Sequence, residues 1–66
     1  MNIIRIKTSL VYARMDALML TTAELAEIIG VSESAMRRIL NLSTCKPTVM
    51  GKLAMVLGIN VWELVA

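Results

Sequence analysis

The sequence predicts an all-α fold: a compact unit of five short helices spanning residues 1–66 behind a short extended N-terminus. Three observations carry that expectation. Apolar residues recur at helical spacing in four separate windows. Two capping boxes, Thr21 with Glu24 and Asn60 with Glu63, mark helix starts. Gly30 and Gly58 follow apolar-periodic runs, where a left-handed residue ends a helix cheaply.

Taken in order, Ile4 and Ile6 alternate with Arg5 and Lys7, which predicts a few extended residues. Val11, Met15 and Leu18 then fall at i, i+4 and i+7 and define helix 1, with Thr8 or Ser9 as its cap. Helix 2 opens on the Thr21 box, stapled by Leu20 against Leu25, and turns Leu25, Ile28 and Ile29 inward before Gly30. Ser32 caps helix 3, whose inward stripe is Met36, Ile39 and Leu40, while Glu33, Ser34, Arg37 and Asn41 point away. A polar loop follows, in which Pro47 disfavours helix at Lys46. Thr48 is the expected cap of helix 4, with Met50, Leu53, Ala54 and Leu57 inward and Gly51 as a weak point. Asn60 caps the last helix, with Ile59 and Leu64 as staple.

A chain of 66 residues allows one domain, and its 58% hydrophobic content with only two aromatics implies a core of Leu, Ile, Val and Met. Six methionines make such a core adaptable. The single Cys45 has no internal disulfide partner, which suits a reducing cytoplasm. Arg14 and Asp16 interrupt any apolar run long enough for a signal core or a membrane span. With no His, one Asp and four scattered Glu, the chain offers no nucleophile and base pair, no metal-ligand set and no cofactor motif. It is read as no enzyme, with no cofactor and no small-molecule substrate. The net charge is only +2, but Arg37, Arg38, Lys46 and Lys52 face Glu33 alone between Ser32 and Lys52.

The stretch from Thr21 to Asn41 resembles the helix-turn-helix of the lambdoid phage repressor and Cro (XRE-type) family, matched without a gap from Leu20 to about Leu64. Thr22, Leu25, Ala26, Gly30, Val31, Met36 and Ile39 carry the likeness, followed by Pro47 and the LGINVWELV tail. Ala26 must be small where the helices cross, Gly30 must take positive φ, and Val31, Met36 and Ile39 fill the wedge. The resemblance implies a lambda-repressor-like DNA-binding domain whose protomers read a double-stranded operator with half-sites about 34 Å apart. It would place Thr22 on a phosphate, Ser32, Glu33, Ser34 and Arg37 at base edges, and Arg38, Lys46 and Arg14 on the backbone. It also implies that Met15 and Leu40, which stand where the family carries an internal Arg and Glu pair, touch as apolar residues.

Glu33 departs from the polar or basic residues common in that family, and its ordinary role is a first-turn acid that stabilises the helix dipole. Leu42 and Trp62 fall where the resemblance puts surface positions, and a mean hydropathy of +0.73 suggests an apolar face that needs covering. Two functional readings follow. The first is an operator-binding regulator of a phage or mobile element, a homodimer through Val61, Trp62 and Val65. The second is an antirepressor that captures a partner repressor protein and blocks its DNA binding.

Overall fold

The computed structural model describes residues 2–66. Its element order is β1 (Ile4–Arg5), α1 (Thr8–Leu18), α2 (Thr22–Ile29), α3 (Glu33–Leu42), β2 (Thr44–Cys45), α4 (Pro47–Leu57) and α5 (Val61–Leu64). The architecture is therefore mostly helical, with a small sheet that the all-α expectation lacked. β1 pairs antiparallel with β2, Ile4 opposite Cys45 and Arg5 opposite Thr44. On its other edge the same segment holds the chain's last residues: Ile6 bridges Val65, the Lys7 N–H donates to the Leu64 carbonyl at 2.8 Å, and the Ala66 N–H donates to that of Arg5 at 3.0 Å. Alternate faces of a strand point opposite ways, so Ile6 is buried while Arg5 and Lys7 stay in water.

The helix starts written into the sequence are present. Thr21 accepts from the Glu24 N–H at 3.1 Å, and Glu24 accepts from the Thr21 N–H at 2.9 Å. Asn60 and Glu63 form the same reciprocal box at α5, and Ser32 accepts from the Ala35 N–H at 3.0 Å. Gly30 and Gly58 end α2 and α4 at φ 92° and 70°, conformations that cost an L side chain about 1 kcal/mol or more.

Two caps differ from expectation. Neither Thr8 nor Ser9 caps α1; Lys7 occupies that position without a side-chain bond, and the Thr8 hydroxyl lies 3.4 Å from that of Ser43. Helix α4 begins at Pro47, not after Thr48, because proline's fixed φ suits the first helical position and its missing N–H would be unpaired there in any case.

The core comprises Ile6, Val11, Met15, Leu25, Ala26, Ile29, Met36, Leu40, Cys45, Met50, Leu53, Ala54, Leu57 and Leu64. Met15 and Leu40 both belong to it, consistent with apolar packing at the two positions. Leu18 and Ile28, expected inward, are exposed. At α2 the small Ala26 sits under a neighbour, so the buried arc is centred between Leu25 and Ala26 and Ile28 falls outside it. At α1 the wheel gives a direction but not how far along the axis the covering helices reach, and Leu18 is the helix's last residue.

Candidate functional site

Helix α3 divides its surface three ways. Met36 and Leu40 are buried in the core. Glu33, Ser34, Arg37 and Asn41 face solvent. Between these sectors, Ala35, Ile39 and Leu42 recur at i, i+4 and i+7, and with Arg38 they form one wall of an open cleft. The opposite wall is Ile3, Thr44, Cys45, Lys46 and Val49, and Val31 closes the end at the helix corner. Pairing of β1 with β2 brings Ile3 beside the start of α4, so two distant stretches of chain meet across the hollow. The cleft has a volume of about 400 Å³. Two large apolar side chains stand open at its lip, Leu42 at 57% exposed and Ile3 at 54%.

The charges around it are unequal in availability. Arg37 makes an ion pair with Glu33 one turn earlier, its Nε donating at 3.1 Å, which ties both groups to the outer face of α3. Arg38 and Lys46 stand on the cleft rim, exposed, and among the described residues no carboxylate lies within 4 Å of either. The remaining acids are largely committed: Glu24 and Glu63 cap helices and Glu33 holds Arg37. Hydrogen bonds from the backbone and hydroxyl of Thr21 lower the Glu24 carboxyl below its ordinary value. Burial raises the Cys45 thiol above its ordinary value. Cys45 is therefore an apolar wall residue, in a strand and not in a loop.

Of the expected site residues, Glu33, Ser34 and Arg37 stay together on the solvent face of α3, and the others are placed differently. Ser32 spends its hydroxyl on the α3 cap, Ser34 is exposed, and Thr22 is half-buried at the first position of α2. Arg14 is turned inward to the end of α4, where its Nε donates to the Leu57 carbonyl at 2.9 Å, a cation on the negative end of a helix. Trp62 is 79% exposed, but Val61 and Val65 are partly buried against the core, so Trp62 stands out alone from that segment. Of the expected site residues, the cleft takes in only Arg38, Leu42 and Lys46. Its sequence signal is the second apolar stripe of helix 3, Ala35, Ile39 and Leu42, beside the core stripe.

No protein-family model matches the chain, and no curated protein matches it significantly. Solved structures do. Native PhpD with cadmium atoms is similar with a TM-score of 0.75 and 27% identity, over 94% of this chain and 13% of that chain. A point mutant of hydroxyethylphosphonate dioxygenase is similar at 0.76 and 27%, over 94% of this chain and 14% of that one. PhpD with cadmium, complexed with hydroethylphosphonate, gives 0.75 and 27%, over 94% and 14%. This chain thus spans about an eighth to a seventh of the length of the structures it resembles.

These findings correct the expected membership of the phage repressor and Cro family, and with it both the operator-reading and the repressor-capturing functions. The likeness lies with an enzyme's polypeptide. The physical reason for the misreading is that six of the seven matching residues, Leu25, Ala26, Gly30, Val31, Met36 and Ile39, make the helix corner or its packing. Such positions specify how α2 meets α3, not what the pair touches. Two of those structures hold cadmium, and the donors of this chain do not fit a metal. The chain has no histidine, Cys45 is buried and alone, and among the described residues no three His, Cys, Asp or Glu side chains cluster to hold an ion.

Proposed function

We propose that this chain is a non-catalytic helical module that grips a segment of another polypeptide in the cleft between α3 and α4. The cleft is the observation that carries the reading. Its lip exposes Leu42 and Ile3, while the α3 sector beside it is buried in the core. Large apolar side chains around a concave surface favour a partner that covers them. A volume of about 400 Å³ takes roughly two or three large side chains, the anchors that an amphipathic helix offers along one face. The absence of histidine and the structural commitments of Glu24, Glu33 and Glu63 support the non-catalytic part of the reading.

Titration of the labelled protein with a leucine-rich amphipathic peptide carrying glutamine flanks, followed by amide NMR shifts, tests this. Shifts are expected at Val31, Ile39, Leu42 and Val49, and Leu42→Asp is expected to weaken binding by roughly tenfold or more. Shifts centred on Met55 and Trp62, or none at all with glutamine- or glutamate-flanked peptide, would overturn the docking reading. For the absence of a metal site, the expected result is a thermal midpoint unmoved by added cadmium or by a chelator.

A further inference from the structure

Resting on that docking reading, we infer that the cleft's occupant is an amphipathic helix flanked by acidic residues, whose carboxylates are met by Arg38 and Lys46. The two cations stand on the rim of an apolar hollow, one on each wall, and neither has a carboxylate within 4 Å among the described residues. Arg37, one residue from Arg38, shows the contrast: it is already held by Glu33. A site with an apolar floor and two free cations at its edges complements a ridge of apolar side chains bordered by negative charge.

The hollow shape separates this occupant from an anionic lipid surface, which is met by a protruding apolar face and not by a concave one. A second copy of the chain is a poor occupant. Its most exposed knobs, Met19, Met55 and Trp62, belong to three different helices or their ends and form no single ridge; Asp16 near Met19 is a lone acid, and the carboxylate next to Trp62, that of Glu63, is bound in the α5 cap. Glu27 beside Ile28 offers a single knob and not a ridge.

The experiment uses two fluorescent peptides with the same leucine register, one flanked by glutamate and one by glutamine, titrated with the whole protein at low and at raised salt. The glutamate peptide is expected to bind roughly tenfold tighter at low salt, with the gap narrowing as salt screens the rim. Arg38→Gln combined with Lys46→Gln is expected to abolish the gap, so that the variant binds the glutamate and glutamine peptides equally at every salt concentration. Both positions are exposed, so circular dichroism should show the fold intact. Equal affinity for the two peptides overturns this inference and leaves the docking reading standing; binding of neither overturns both. Displacement of the glutamate peptide by phosphatidylserine vesicles, or self-association of the chain that Leu42→Asp abolishes, would also sink the proposed occupant.

Discussion

Gly51 lies within α4, exposed, and a Cβ built on it meets nothing within 4 Å. A glycine there loses backbone entropy on folding and gains no packing in return. Gly51→Ala is expected to stabilise the protein by about 0.5–1 kcal/mol, raising the thermal midpoint by several degrees. Gly30 is the opposite case. It also has open space around it, but its φ of 92° means that a side chain is penalised by the backbone conformation alone. Arg14 shows how a residue's role escapes its type: read as a surface cation, it is instead a cap on the last turn of α4.

Among the elements, α2 and α5 owe their starts to reciprocal boxes, and α2 makes its box titratable. The Thr21 N–H, chiefly, and the Thr21 hydroxyl hold the Glu24 carboxyl below its ordinary value of 4.5. A carboxyl depressed in the folded state adds stability that is fully present above its unfolded value and is lost as pH falls through the lower folded one. Glu24→Ala is therefore expected to lower the urea midpoint at neutral pH, with the difference from the parent chain shrinking as the pH drops below about 4. A difference that persists unchanged in acid would show that the box does not depend on the charge. The strand pair lies at the other extreme of legibility. The alternation around Ile4 and Ile6 foretold extended residues, but nothing local announced that Thr44 and Cys45 would meet them.

At the scale of the whole molecule, the core is small enough for single side chains to decide folding. Leu53 is fully buried, and a chain of 66 residues has only a few kcal/mol of net stability to lose. Leu53→Ala removes buried methyl groups at a cost of about 2–5 kcal/mol, so loss of the cooperative thermal transition is expected. Leu42→Asp, on the lip of the cleft, is expected to leave that transition in place while weakening docking. The pair separates the two apolar populations that composition lumps together, those that hold the fold and those that line the cleft.

What the sequence determined alone was everything settled within a turn or two of helix: the capping boxes at Thr21 and Asn60, the Ser32 cap, and the glycine ends at Gly30 and Gly58. These depend on hydrogen bonds three residues apart and on the φ of one residue, and both are local quantities. Tertiary structure decided which apolar stripes were buried, because Ile28 and Leu42 are apolar at helical spacing just as Leu25 and Leu40 are, and only the placement of neighbouring elements distinguishes them. It decided the cleft as well, since Ile3, Ile39 and Val49 come together only when β1 lies against β2. The helix corner could be read from its glycine and small residues, but its purpose could not, because residues that fix how two helices pack are silent about what the packed pair meets.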